Sequence, residues 1–530
     1  MNTGNNDAIR AGNDECGGPF PEERHLQERL SDLARLANAL AGPPNPRELV
    51  ATCQTLIAIA SRLRDDAAKA GGLHLLGNAH TELGEFEEAR SAYVSAVDLW
   101  TECGSREDEL QSRQGLVNVL QLLGQPEAAV DQAVLATRST SWFRRCTGLL
   151  SIGGIQEQLG EYDKSLEQLA AAEAVLVAAN PTPRQAAYVQ AYLHGNRANL
   201  ALARGELRSA LDAAHRMAGA SDLADLRGQK LEAMINVGVC KTRMGDMADA
   251  WRHLDQAHQA ASLAEDQLRE STAGAALSEW FALAGLCDRA IALAQQAVEL
   301  AMASKARFAE LYANLRLGAA YLDGGEPDRA AGPIEQAASV AEALKAPSYR
   351  LSVRLLEARL LLAGGDSSRA AAILGDVVTG AGTIGASTVM AEALTYLAQA
   401  LLALGNEAAA EERSIVASES ARRLEARHIL WSAQHVHGLA LSAMGRHENA
   451  QARFGEAIDI IEAMWWPLWT VGFAQVQDVK HSIIAVYLDY LRTATGQGRQ
   501  DLVDRVLALS PWSFLRQRWQ EATDAGYGCT

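Results

Sequence analysis

The sequence predicts an all-α solenoid of about eleven or twelve helical hairpins, and three observations carry that prediction. First, Gly205, Gly245, Gly285, Gly325, Gly365, Gly405 and Gly445 recur every 40 residues, and Gly84, Gly124 and Gly160 continue the series with spacings of 40, 36 and 45. A fixed period in this range marks stacked supersecondary units, each burying its apolar face on a neighbour. Second, a small residue stands five positions after every one of these glycines: Ala89, Ala129, Ser165, Ala210, Ala250, Ala290, Ala330, Ala370, Ala410 and Ala450. Third, the chain is rich in good helix formers, with only 13 prolines and 5% aromatic residues.

The elements follow in order. Residues 1–21 are rich in Gly, Asn and Asp and are expected to form a disordered tail. Helical periodicity begins near Glu22, with Leu26, Leu30, Leu33, Leu36 and Leu40 on one side. The stretch Ala41–Pro46 breaks the chain, and Arg47 to Leu63 predicts a second helix, so residues 22–71 read as a divergent first pair. Ten clearer units occupy residues 72–464. In the first, Leu76, Gly77, Ala79 and Leu83 form one helical stripe. Gly84 is placed to end that helix in the left-handed conformation, which other residues adopt only at an energetic cost. Glu85, Glu87 and Glu88 then fall at the start of the next helix, where the helix dipole favours acids. Ala89, Tyr93 and Ala96 give its stripe. After Met464 the pattern loosens, and residues 465–530 read as capping helices with a further turn at Gly498.

Two more positions recur. Seven residues before the turn glycines stand Gly77, Gly153, Ala198, Gly238, Ser278, Gly318, Ala358, Ala398 and Gly438, with Val117 as the exception. Seven residues after the first small residue of each second helix stand Ala96, Ala136, Ala172, Ala257, Ala297, Ala337, Ala417 and Ala457, with Met217 and Val377 as the larger exceptions. Small residues at both places let the two helices cross closely, and Val117 is expected to hold its pair apart. This pattern resembles the tetratricopeptide repeat family, in its 40-residue form, over most of the chain. The resemblance implies a right-handed superhelix whose first helices line a concave groove that binds a protein or peptide.

In that family the groove-facing positions lie nine and six residues before the turn glycine. Here they include Asn78, Asn118, Asn196, Asn199, Asn236, Arg316 and Arg359, with Glu157, Glu279 and Gln399 between them. The phrase Leu76-Gly77-Asn78 is similar to the leucine-glycine-asparagine and kinesin light chain types, where such asparagines grip an extended peptide. A carboxamide can pair with the N–H and the C=O of a peptide unit together. The alternative is asparagine tolerated on a solvated helix face, and Gly154 and Glu157 interrupt the ladder.

Other classes are narrowed by composition. A net charge of −17 without basic runs argues against nucleic acid. The seven cysteines are scattered singly, as expected of reduced thiols in the cytoplasm rather than a disulfide framework or zinc site. No secretory signal and no apolar run of membrane length is read. Gly380, Gly382 and Gly385 spell a GxGxxG, but they are placed in a loop joining two repeats and have no parallel-sheet context. His435 and His437 point to different helix faces and make a poor metal pair. No catalytic constellation, metal site or cofactor motif is read, so binding rather than catalysis is expected.

Five of ten tryptophans, Trp465, Trp466, Trp469, Trp512 and Trp519, fall at the C-terminal end. They form either a cap or a partner-docking surface. The stretch from Ala485 to Trp519 also resembles the junction in tetratricopeptide–CHAT caspase-like proteases. That implies a regulatory or substrate-recognition subunit of a separate protease. A small-peptide sensor, as among bacterial quorum-peptide receptors with similar repeats, is a further possibility.

Overall fold

The computed structural model describes residues 21–40, 46–470, 481–509 and 515–524. The tail expected before Pro21 and the break at 41–45 lie outside these residues. Among them are twenty-five helices and no strand. They alternate as hairpins, from Pro21–Leu40 with Pro46–Leu63 to Arg427–Ala443 with His447–Thr470. Three further helices follow: His481–Gly496, Gln500–Leu509 and Leu515–Asp524. Most helices pack on their hairpin partner, and from Trp142–Gln158 to Arg427–Ala443 successive first helices also touch.

The glycine period is a period of helix caps. All ten turn glycines hold positive φ, for example 82° at Gly205 and 83° at Gly365. A second left-handed residue ends most second helices: Asp225, Glu265, Lys305, Lys345, Gly385 and Glu425. This second series is hidden in the sequence because most of its members are not glycine. It also corrects the expected placement of the GxGxxG. Gly380 and Gly382 lie inside the Ser367–Ile384 helix, and Gly385 is its left-handed cap. The irregular spacings have local causes too. The second helix after Gly124 has only 11 residues, Pro126–Ala136, and the first helix before Gly205 has 22, Pro183–Arg204.

Packing within a hairpin is knob into notch. The residue nine after the turn glycine meets the small residue seven before it. A Cβ on Gly77 would lie 2.8 Å from the Tyr93 ring, and one on Gly318 would lie 2.8 Å from Ile334. Leu254 and Phe454 overlap the same position of Gly238 and Gly438. Ala89, Ala129, Ala210, Ala250 and their successors are fully buried between the helices. Met217, large for its position, is received by Gly195 on the facing helix. Val117 is fully buried.

Contacts divide the chain into two units, residues 1–119 and 120–530. In the first, Leu30, Leu49, Cys53, Leu56 and Ile59 form a core between the first hairpins.

The second unit coils on itself. The helix Pro183–Arg204 meets Ser387–Ala403, Arg227–Met244 meets Arg427–Ala443, and Met247–Leu263 meets His447–Thr470. The superhelix thus closes one turn in five hairpins, and the next turn stacks on it. Arg208 and Lys345 bridge the turns to Glu425 and Glu127, residues 217 and 218 positions away, with N–O distances of 2.8 Å. The glycines at the contact have a second duty. A Cβ on Gly205 would lie 2.5 Å from Thr388 Oγ1 and 3.1 Å from the Thr388 backbone nitrogen, and one on Gly245 would lie 2.6 Å from Met464 Cγ. Around Gly325, Gly365, Gly405 and Gly445 there is nothing within 4 Å.

That contrast is testable, because Gly205 and Gly365 hold nearly the same φ. Gly365→Ala should cost only the left-handed backbone, ~1–2 kcal/mol. Gly205→Ala should cost a further ~1–3 kcal/mol for overpacking against the next turn. Urea unfolding of the two variants measures the difference, and equal midpoints would contradict the stacked arrangement.

Candidate binding channel

Stacking the turns encloses the concave face of the second unit. The result is a channel of about 1980 Å³, walled by the first helices from Trp142–Gln158 to Arg427–Ala443 and by His481–Gly496 and Leu515–Asp524. Lining residues recur every three or four positions along each first helix, the spacing of one helical face. Tyr312, Arg316, Ala319 and Asp323 illustrate this on Arg307–Asp323.

The middle of the channel is a chain of buried ion pairs. Glu279, 10% exposed, accepts from Arg243 Nε at 3.0 Å and lies 3.1 Å from Arg316 Nη1. Arg316 also lies over the Tyr312 ring at 5.2 Å. One hairpin further on, Arg359 donates to Asp323 Oδ1 at 2.7 Å and covers the Tyr396 ring at 5.0 Å. His428 Nε2 stands 3.7 Å from Glu392. Its Nδ1 is 2.9 Å from the Arg243 carbonyl on the preceding superhelical turn. A carbonyl can only accept, so Nδ1 carries a proton.

These pairs obey one spacing. Arg243 and Glu279 are 36 residues apart, Asp323 and Arg359 are 36 apart, and Asn199 and Asn236 are 37 apart. The repeat is 40, so neighbouring first helices meet about one helical turn out of step.

The electrostatics follow. Burial alone would raise the Glu279 carboxyl, but the Arg243 and Arg316 guanidiniums outweigh it and hold the group down to about 2. Glu392 moves in the same direction: burial opposes ionisation, and His428, Arg243 and Arg316 prevail. Glu157 behaves oppositely. It lines the channel, and burial without a compensating charge lifts its carboxyl to about 7. Nearby, Tyr162 is pushed up to about 12, first by burial and then by Glu157.

The expected site residues divide. Asn199, Asn236, Arg316 and Arg359 line the channel, together with Glu157, Glu279 and Gln399. Asn236 Nδ2 donates to Asn199 Oδ1 at 3.0 Å. Asn196 is outside the lining and donates to the Leu150 carbonyl at 2.7 Å, tying two neighbouring first helices together. It packs where Gly154 has no side chain, 3.4 Å from the position of a Cβ. Asn78 and Asn118 belong to the first unit, where Asn78 accepts from the Tyr93 hydroxyl at 2.6 Å and Asn118 lies 3.5 Å from Gln114. Trp465 is 3% exposed and Trp466 is 62% exposed, while Trp519 packs on Leu491 and Val503. Trp512 and the side chain of Trp469 lie outside the described residues. The lining residues that positions nine and six leave out include Arg243, Tyr312, Tyr349, Glu392 and His428, whereas Tyr396 stands nine before Gly405. Extending the same helical face by one turn reaches Arg243, Tyr312 and Glu392, and by two turns Tyr349 and His428.

Other groups stay apart. His435 Nε2 lies 2.9 Å from Asp489, whereas His437 faces Glu411 at 4.0 Å. Among the described residues no group of three metal-ligating side chains occurs. Ser112 Oγ is 3.1 Å from His74 Nδ1, but Ser112 is fully buried and cannot meet a substrate. No described helix is long and apolar enough to cross a membrane.

A tetratricopeptide repeat model matches residues 70–99. No curated protein matches the chain. The fold is similar to the crystal structure of Rap protein complexed with competence and sporulation factor, at TM-score 0.50 and 13% identity, over 76% of this chain and 99% of that one. Two others align: the APC/C hetero-tetramer Cut9-Hcn1, at TM-score 0.44 and 10% identity over 92% and 97%, and a tetratricopeptide repeat protein from Parabacteroides merdae, at 0.31 and 13% over 52% and 98%.

Two outcomes test the channel's electrostatics. Glu279→Gln leaves two buried guanidiniums sharing no carboxylate and should cost ~3–5 kcal/mol. A carboxyl depressed in the folded state contributes stability above its unfolded pKa and loses it as pH falls. Wild-type stability should therefore decline from about pH 4.5 towards 2, and the variant's should decline less, as read by urea unfolding at each pH. Glu157 has the opposite sign: a raised folded pKa favours folding at low pH, and that contribution is lost as pH rises through about 7. Glu157→Gln should then unfold at higher urea than wild type above pH 7 and match it below pH 4. Parallel pH profiles would contradict the burial of an unpaired carboxyl.

All-helical hairpins, capped by glycine at the turns and packed large side chain into small-residue notch, give the chain the fold of a tetratricopeptide-type α-solenoid.

Proposed function

We propose that the chain is a binding scaffold whose channel holds the end of an extended partner polypeptide or a short peptide. The observation that carries this is a large polar-walled channel on the concave face, in which the carboxamides of Asn199, Asn236 and Gln399 stand among the charged pairs. An extended backbone offers alternating donors and acceptors to carboxamides of this kind. Asn199 and Asn236, already paired with each other, keep further amide and carbonyl capacity for a guest.

Turns stacked around the channel favour a chain end or a short peptide over a long segment laid in from the side. This favours the small-peptide sensor reading. The protein-adaptor reading, including a subunit serving a separate caspase-like protease, requires the guest to enter through an end. The five described cysteines are unpaired, which supports a reducing, cytoplasmic setting.

Photo-crosslinking locates the guest. Ser352 and Thr272 line the channel, whereas Leu223 and Leu263 are outer-surface residues 75% and 89% exposed. Each would be replaced singly by p-benzoylphenylalanine and irradiated in the cells that make the protein. The expected outcome is one polypeptide adduct shared by Ser352→p-benzoylphenylalanine and Thr272→p-benzoylphenylalanine. Adducts confined to the Leu223 and Leu263 variants would place binding on the outer face and reject the channel.

A further inference from the structure

The Trp142–Gln158 helix reaches the channel at one end, through Glu157 and Gln158. Its other end borders a separate groove of about 350 Å³, made of residues that do not line the channel. Trp142 and Arg145 form one side of this groove. Ala174, Val175, Ala178 and Ala179, on the Tyr162–Ala179 helix, form the other. Spacings of three and four residues put each set on one helical face.

The groove has a cause in the repeat. The second helix of the preceding hairpin, Pro126–Ala136, has 11 residues where Met247–Leu263, Cys287–Ala303 and Pro327–Ala343 have 17. The deficit is nearly two helical turns. The short helix seats on Gly148, where a Cβ would lie 3.0 Å from the Ala136 side chain and 3.1 Å from the Ala133 carbonyl oxygen, and it ends there. The start of the Trp142–Gln158 helix is therefore left without the cover that a hairpin of ordinary length supplies.

The lining says what the groove takes. Five of its six residues are apolar and the sixth is a cation. Among the described residues Arg145 has no ion pair, and the neighbouring acid on the facing helix, Glu173, is held by Arg197 at 2.6 Å. From Gln132 to Gln156 the chain carries Arg138, Arg144 and Arg145 and no aspartate or glutamate, within a protein of net charge −17. Val177, one turn from Ala174, is 76% exposed and continues the apolar surface past the groove. The Trp142 ring meets Phe143 edge to face, with centroids 5.7 Å apart.

We propose that this groove binds a small aliphatic carboxylate, of the class of medium-chain fatty acids. Its carboxylate pairs with Arg145, and its alkyl body lies between Trp142 and the alanines. A groove of this volume is at the lower end of the range for small-molecule sites, roughly 300–1,000 Å³. A guanidinium receives a carboxylate through two parallel N–H donors, a match in geometry and charge that a hydroxyl does not offer. Alanine side chains leave room for methylenes, whose burial is favourable. The site is independent of the channel and of whatever the channel holds.

Fluorine NMR on the full chain labelled with 5-fluorotryptophan tests this, with Trp142→Phe identifying the Trp142 resonance. Sodium octanoate, titrated below its critical micelle concentration, should shift that resonance saturably. It should bind about tenfold more weakly to Arg145→Gln, and 1-octanol should bind wild type about tenfold more weakly than octanoate does, the loss expected for one charge-assisted pair. Ala178→Phe, a change at an exposed position that fills the groove, should abolish the shift. Octanol matching octanoate, or Arg145→Gln matching wild type, overturns the carboxylate site. Octanoate binding retained by Ala178→Phe, or no shift in wild type, overturns the groove. N-acetylleucine, which presents the last residue of a polypeptide, should bind more weakly than octanoate. Equal or tighter binding overturns the free acid and assigns the groove to a chain end.

Discussion

The seat of one superhelical turn on the next is the contact on which the chemistry of the second unit depends. The ion pairs that mark it, Arg208 with Glu425 and Lys345 with Glu127, are exposed and individually worth little. The holding contact is apolar: Leu344 and Met464, 1% and 2% exposed, press against backbone left bare at Gly124 and Gly245. Were the turns apart, the first helices would face an open, wet groove and their charges would be screened. With the turns seated, the same residues line a channel in which Coulomb interactions are several times stronger. The depressed Glu279 and the raised Glu157 are two consequences of that one enclosure.

A constant pitch asks for a constant unit. The interval of 40 residues holds without exception from Gly205 to Gly445, so each hairpin there repeats the same small rotation. Across the 36- and 45-residue intervals, the helices Pro126–Ala136 and Pro183–Arg204 differ in length from the rest. Turn glycines therefore answer to two demands that the sequence writes with one letter. All need positive φ, but Gly205 and Gly245 also need the absence of a Cβ, whereas Gly365 and Gly405 do not.

Much of the fold was legible because its causes are local: cap, stripe and notch all lie within one hairpin. The site was legible only in part. Positions counted from the turn glycine found Asn199, Asn236, Arg316 and Arg359, because one helical face repeats every three or four residues. They also selected Asn196, whose amide is spent on the Leu150 carbonyl of the preceding first helix. Whether a face residue looks into the groove or onto its neighbour depends on the crossing of two helices, which a count along one helix does not contain. Arg243, Glu392 and His428 went unseen for a longer-range reason. Their partners lie 36 residues off in the next hairpin or 185 off in the next turn. The first distance could be read as the repeat less one helical turn; the second needs the pitch.

Charge balance then gives the channel a direction. Around its middle, Arg243, Arg316 and Arg359 face Glu279, Asp323 and Glu392 in equal number, so a guest passing there meets paired groups and gains from backbone hydrogen bonds rather than net charge. Glu157 has no such partner, and burying it works against folding near neutral pH. A chain selected for stability alone would carry glutamine there, since the amide has the same shape without the cost of desolvating a charge.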